Sequence, residues 1–142
     1  MNVLNRPPGI SSRLRVMVVD DDHALRDALC GLLMDEGFEV VGDAADGTTA
    51  VSLARDRAPD VVLVDYRMPG MDGLEAISLM KTEAPFLQAV MLTAYDDETL
   101  SLEAERAEVY CLLVKGCPPT MILDMVLRAA SYKRELESRR PR

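Results

Sequence analysis

Five short apolar runs, each followed by a stretch with helical spacing, constrain this chain more than any other feature. The runs cover residues 14–19 (LRVMVV), 38–41, 61–64 (VVLV), 89–92 and 112–114. After the first, Leu25, Ala28, Leu29, Leu32 and Leu33 recur at helical spacing, Asp21 or Asp22 is placed to cap, and Gly37 supplies a stop. Further helices are predicted over 48–57, around Leu74, Ile77 and Lys81 before Pro85, over 97–106, and from Pro118 and Pro119 to about residue 137. Strand–helix alternation of this kind argues for a parallel sheet covered on both faces, because right-handed crossovers put the helices there. The expected fold is therefore α/β and doubly wound, with five parallel strands and five helices.

Size and charge narrow the function. A chain of 142 residues with 49% apolar and 28% charged residues is one ordinary domain able to build a core. Without Trp, and with two Phe and four Tyr, that core must rest on aliphatic residues, Ala and Met, and the nine methionines read as packing. A formal net charge of −8 argues against nucleic-acid binding, which needs a basic surface, and suits a basic partner or a cation site. Cys30, Cys111 and Cys117 are odd in number and form no C-x-x-C pair, so reduced thiols and a cytoplasmic location are expected. Residues 1–13 read as a flexible arm that is not a signal peptide, and no run is long enough to span a membrane.

The strand ends carry the chemistry. The first run stops at Asp20 and Asp21, the third at Asp65, the fourth at Thr93 and the fifth at Lys115. Parallel strands put these ends on one edge, where α/β sheets have their ligand crevice. Three carboxylates held together repel one another unless a cation intervenes, and a hard divalent ion with oxygen ligands, Mg²⁺ above all, answers that need. Lys115 and the Thr93 hydroxyl would add a point charge and a donor, the groups a transferring phosphoryl requires. Asp65, alone on the middle strand, is the best candidate for a nucleophile that forms an aspartyl phosphate.

These positions, with the turn MPGMDG after Asp65, resemble the receiver domain of the two-component response-regulator family over about residues 14–135. The family's acidic pair falls on Asp20 and Asp21, its phosphoacceptor on Asp65, its switch hydroxyl on Thr93 and its lysine on Lys115. The resemblance implies a flavodoxin-like strand order 2-1-3-4-5 and a metal site completed by the backbone carbonyl of Arg67. It also implies a sensor histidine kinase or phosphotransfer protein as phosphodonor, with no direct nucleic-acid contact by this domain and no membrane association. The domain would be a signalling switch that catalyses only its own modification. The implied layout is an arm over 1–13, the receiver over 14–137 and a basic tail over 138–142.

Several residues depart from the family pattern. Leu112 stands where an aromatic switch residue is usual, three before the lysine, which predicts altered coupling unless Tyr110 substitutes. Gly116 follows the lysine where proline with a cis bond is common, and no cis bond is expected. Glu108 and Val109 replace a usual Gly-Ala pair. Arg67 and Tyr95, two past Asp65 and Thr93, are large and predict slow autodephosphorylation. His23 reads as a solvated residue of a first helical turn.

On the last helix, Ile122, Met125, Val126 and Ala129 form one stripe, which Leu123, Leu127 and Ala130 widen. The widening suggests a second buried contact, and hence a homodimer through the face of the fourth helix, fifth strand and fifth helix. The basic residues from Lys133 to Arg142 read either as a continuation of the helix or as a frayed end, with the frayed end preferred. Three rivals stand beside this reading. A haloacid-dehalogenase-like phosphatase wants Asp-x-Asp-x-Thr, and Asp20 to Ala24 lacks the final hydroxyl. A flavin-binding domain wants a glycine- and hydroxyl-rich loop where three aspartates sit. The third is the receiver portion of a DNA-binding regulator.

Overall fold

A computed structural model describes residues 13–94 and 98–139. Strands β1 (Arg15–Val19), β2 (Glu39–Ala44), β3 (Val61–Asp65), β4 (Gln88–Thr93) and β5 (Cys111–Val114) form one parallel sheet in the order β2-β1-β3-β4-β5. Helices α1 (His23–Asp35), α2 (Gly47–Arg57), α3 (Gly73–Glu83), α4 (Glu98–Arg106) and α5 (Pro119–Ser138) alternate with them. The expected flavodoxin-like order and doubly wound layering are both present.

Alternation along the strands builds two cores. Val16, Val18, Leu63, Val90 and Leu113 face α1 and α5, while Met17, Val19, Val62, Val64 and Met91 face α2, α3 and α4. Strands β3 and β4 are buried along their whole length, which is why they read as continuous apolar runs rather than alternating ones. Caps fix where three helices begin. Asp22, Asp46 and Asp72 accept the backbone N–H of Leu25, Thr49 and Glu75, each satisfying a donor that a first helical turn leaves open.

Several expectations need correction. The second strand runs to Ala44 rather than stopping at Val41, because β2 pairs with β1 through Gly42, Asp43 and Ala44. Gly42 looks like a strand end in the sequence, yet a Cβ there would meet Leu53 of α2 at 2.7 Å, so its lack of a side chain lets the helix close on the strand. The widening of the α5 stripe is taken up inside the fold. Leu123 and Ala130 are fully inside the core shared with α1, and Leu127 is half-buried against it. Nor is the end of α5 frayed from Lys133: this residue is helical, and its ammonium donates to Asp60 Oδ1 at 2.9 Å. The other Asp60 oxygen accepts from the Arg15 N–H at 2.9 Å, so one carboxylate ties α5 to the start of β1.

The loops around β5 show what the family departures do. Gly116 has φ +96°, a conformation proline's ring forbids, so glycine here sets a different turn; the described residues hold no cis bond. Glu108, in place of glycine, is held at φ 59°, a strained setting for a residue with a Cβ. The three cysteines are unpaired. Among the described residues no helix is long and apolar enough to cross a membrane.

Candidate functional site

The carboxyl edge of the sheet gathers the predicted groups. Asp20, one residue past β1, has its N–H bonded to the Ala44 carbonyl of β2 at 3.1 Å, which aims the side chain into the crevice. Asp65 is the last residue of β3, paired with Leu92 on β4. Thr93 ends β4, and its carbonyl accepts the Lys115 N–H at 2.7 Å, carrying Lys115 one residue beyond β5. Asp20, Asp65 and Thr93 are buried, whereas Asp21 lies exposed at the rim.

Lys115 Nζ sits 3.3 Å from Asp20 Oδ2 and 3.2 Å from Asp65 Oδ2, bridging the two carboxylates. Ligand oxygens of Asp20, Asp21 and Asp65 all lie within 4.8 Å of one another. Asp20 Oδ1 accepts the Asp22 N–H at 2.8 Å, but Asp20 Oδ2 has no hydrogen-bond partner despite its complete burial. Nζ attracts Asp20 Oδ2 as an ion pair without a well-aligned hydrogen bond.

Charge at this edge is out of balance. Burial and the Asp20 carboxylate push the Asp65 carboxyl from its ordinary 3.8 up to about 6, against the pull of Lys115. Burial pulls the Lys115 ammonium down, yet Asp20 and Asp65 together outweigh it and hold the pKa above the ordinary lysine value. Negative charge from neighbouring carboxylates adds to burial at Asp65 and outweighs it at Lys115. A proton relieves it, and so would a cation. The orphaned Asp20 Oδ2 and the all-oxygen donor set fit a hard divalent ion, so the residues present suit the metal the cluster calls for.

The turn between β3 and α3 fixes Asp65 from behind. Gly73 N–H donates to the Tyr66 carbonyl at 2.8 Å, and a Cβ on Gly73 would lie 2.4 Å from the Asp65 carbonyl oxygen and 3.1 Å from Tyr66 Cα. Backbone atoms cannot yield as a side-chain tip would. Gly73→Ala is therefore expected to cost about 1–3 kcal/mol and to displace Asp65. Chemical denaturation checks the first part, and a variant as stable as the parent rules it out.

The predicted switch residues are not brought together. Leu112 packs, half-buried, on the α3 and α4 side of the sheet. Tyr110 packs on the other side, with its ring 5.7 Å from that of Tyr132 on α5, and its N–H bonds to Ala89 near the start of β4, away from Thr93. Tyr110 therefore does not take up the position behind Thr93 that Leu112 leaves without a ring. Arg67 is exposed, with its guanidinium 5.6 Å above the Tyr66 ring; its suggested companion Tyr95 lies outside the described residues. His23 opens α1 in an exposed position, as expected of a first-turn residue. A separate cleft of about 300 Å³, lined by Val51, Leu79, Phe86 and Lys133 among others, includes none of the strand-end groups.

Sequence reasoning passed over Arg26. Its side chain is only 13% exposed and reaches the Asp20 carbonyl at 2.8 Å. The available signal was an arginine on the first turn after two strand-end aspartates, on a helix whose apolar stripe accounts for the neighbouring positions.

A five-stranded flavodoxin-like sheet with an acidic crevice at its carboxyl edge defines the class of domain. Residues 16–127 match the response regulator receiver domain, and the chain belongs to that family, as a receiver domain of two-component response regulators. It is 36% identical over 124 residues to the transcriptional regulatory protein PdtaR of Mycobacterium tuberculosis, covering 86% of this chain and 59% of that protein. The chain thus spans about three-fifths of that relative's length. The signal receiver domain of NarL from the same organism superposes with a TM-score of 0.79 at 32% identity, over 85% of this chain and 98% of that one. CheY of Borrelia burgdorferi, solved in a CheX-CheY-BeF3-Mg²⁺ complex, superposes at 0.77 with 26% identity, over 82% and 87% of the two chains. Receiver domains of this kind are generally signalling switches, which is the coarse function the fold and family establish here.

Proposed function

We propose that Asp65 accepts a phosphoryl group from a phosphohistidine donor, a sensor kinase or phosphotransfer protein, in a Mg²⁺-dependent reaction. The observation that carries this reading is the convergence of Asp20, Asp21 and Asp65 within 4.8 Å, with Lys115 bridging two of them. The BeF3 and Mg²⁺ in the Borrelia burgdorferi complex support the same assignment by likeness. Asp20, Asp21, Asp65 and the Arg67 backbone carbonyl would hold the ion. When bound, it would neutralise charge on the phosphoryl oxygens.

An Asp65 carboxylate oxygen attacks phosphorus as the bond to the donor's ring nitrogen breaks. The bonding pair returns to that nitrogen, while the other ring nitrogen keeps its proton. Lys115 and the Thr93 hydroxyl receive the phosphoryl oxygens, an electrostatic role that costs little reorganisation because both are already anchored at strand ends. The modification then biases two arrangements of the surface that a partner reads. With Leu112 in the aromatic position, that coupling runs without a ring turning behind Thr93. Its setting is the cytoplasm, where such donors phosphorylate their targets.

Intact mass after incubation with acetyl phosphate and Mg²⁺ tests the reading. One phosphoryl adduct that chelation prevents is expected, and no adduct under any condition turns the reading toward an unphosphorylated scaffold. Arg67 stands exposed two residues past the acceptor, where its bulk hinders an attacking water. Arg67→Ala is expected to shed the phosphoryl group several-fold faster once the donor is removed. Equal or slower decay in the variant would show that Arg67 shields nothing.

A further inference from the structure

Arg26 occupies an unusual position for a first-turn arginine. All three of its guanidinium nitrogens are engaged: Nη1 donates to the Asp20 carbonyl at 2.8 Å, Nε to Asp43 Oδ1 on β2 at 3.0 Å, and Nη2 meets His23 Nδ1 at 3.0 Å. At that nitrogen the histidine must accept, which puts its proton on Nε2, facing Asp27 Oδ2 at 3.4 Å. One side chain thus joins the end of β1, β2 and the first turn of α1. The Arg26 N–H also bonds the Asp22 carbonyl at 2.9 Å, fixing the helix start to the same segment.

Resting on the reading above, we infer that Arg26 is a positioning residue for the acidic pair: it holds the Asp20 peptide so that Asp20 and Asp21 present their carboxylates to the cation. The Asp20 main chain is pinned at both ends, its N–H by the Ala44 carbonyl and its C=O by Arg26. With the peptide fixed, Asp20 Oδ1 stays on the Asp22 N–H and Oδ2 is left aimed into the crevice, where the Lys115 ammonium at 3.3 Å is its counter-charge. Release of the carbonyl frees the peptide to rotate, and both carboxylates move with it. The guanidinium does not compete as a ligand, since it is itself a cation and offers donors but no lone pair.

This role makes a prediction opposite in sign to simple charge. A cation near a metal site repels the metal, so removing it would tighten Mg²⁺ binding if charge were all that mattered. Positioning predicts the reverse, because losing an orienting outer partner typically weakens a metal about 10–100-fold. Arg26→Lys keeps the charge and loses the planar fork, whereas Arg26→Gln loses the charge. Calorimetric titration of the full chain with Mg²⁺ is expected to give dissociation constants at least about tenfold weaker for both variants.

Thermal unfolding in EDTA, run in parallel, reports any purely structural effect, which would lower the melting temperature and leave Mg²⁺ affinity unchanged. Unchanged affinity in Arg26→Lys, or tighter binding in Arg26→Gln, overturns the inference. If neither variant folds, Asp43→Ala removes the Nε acceptor from a half-exposed site, and at high salt, where distant charge is screened, weaker Mg²⁺ binding is still expected. Wild-type affinity in that variant counts against the role. Absence of Mg²⁺ binding by the parent chain instead defeats the underlying reading of the site, so the two failures are distinct.

Discussion

Asp65→Asn is expected to abolish the phosphoryl adduct and, in metal-free buffer near neutral pH, to make the protein more stable by about 3 kcal/mol. The first effect follows from removing the proposed nucleophile. The second follows from burying a carboxylate beside that of Asp20. Asp65 is buried, and its carboxyl is raised from 3.8 to about 6 by burial and Asp20, so the folded state binds its proton more tightly than the unfolded chain does. A raised acid stabilises the fold fully below its unfolded pKa and loses that contribution as pH rises through the folded value. At about 1.4 kcal/mol per unit, a shift of this size amounts to about 3 kcal/mol.

Asparagine resembles the protonated acid at every pH. The gap between variant and parent should therefore be near zero at pH 3.8, open between 3.8 and 6, and stay level above. Denaturant unfolding in EDTA across that range measures it. An equal gap at both ends of the range, or an Asn variant less stable at neutral pH, contradicts the account. Added Mg²⁺ should then stabilise the parent in proportion to its binding and close the gap, since the variant has lost a proposed ligand.

Lys115→Met is expected to act in the opposite direction, lowering stability near neutral pH by about 2–3 kcal/mol. Removing one partner of a buried ion pair typically costs about 3–5 kcal/mol, because the other charge is left uncompensated. Two carboxylates lose their shared cation here, but the lysine side chain is 28% exposed, which places the cost at or below the low end of that range. The deficit should shrink on acidification through pH 6, because Asp65 then takes a proton in place of the ammonium. It should also shrink on adding Mg²⁺, and by more than the parent gains. A deficit independent of both pH and Mg²⁺ would mean that Lys115 stabilises through its methylene stem alone.

The two substitutions test one idea from both sides. Asp65→Asn removes surplus negative charge, and Lys115→Met exposes it. The crevice is built with more carboxylate than its own lysine can neutralise, and that imbalance is a thermodynamic cost to the metal-free fold. On the proposed reading the cost has a use: a site with surplus carboxylate is prepared to hold a cation, and burial leaves Asp65 a reactive oxygen.

Much of this was legible in the linear chain. Strands β3 and β4 announce themselves because burial on both faces leaves them no polar position, and the Asp at the end of VVLVD marks where the sheet stops. Asp20, Asp65, Thr93 and Lys115 could be found because parallel strands must bring their carboxyl ends to one edge, so position along each run already fixes position in space. Caps such as Asp22 and Asp72 were likewise readable, since they act on amides three residues away.

Other features depend on distances that sequence order does not encode. The reach of β2 to Ala44 is set by its pairing with β1, and Gly42 is explained by Leu53 on a helix that crosses over it. The breadth of the α5 stripe looked like an unmet contact, and only the packing of Leu123 and Ala130 against the shared core shows where that surface goes. Tyr110 and Leu112 share a parity that suggests one face, yet Tyr110 precedes the strand, and they end on opposite sides. Arg26 is the sharpest case, since its partners are a carbonyl six residues back and a carboxylate on another strand. The sequence by itself determined the alternating fold and the strand-end acids, because short-range periodicity and parallel topology suffice for both. Tertiary structure alone decided the charge balance and the clamp on Asp20, because Coulomb energy and hydrogen bonding depend on separations of a few ångströms between residues that the chain holds apart.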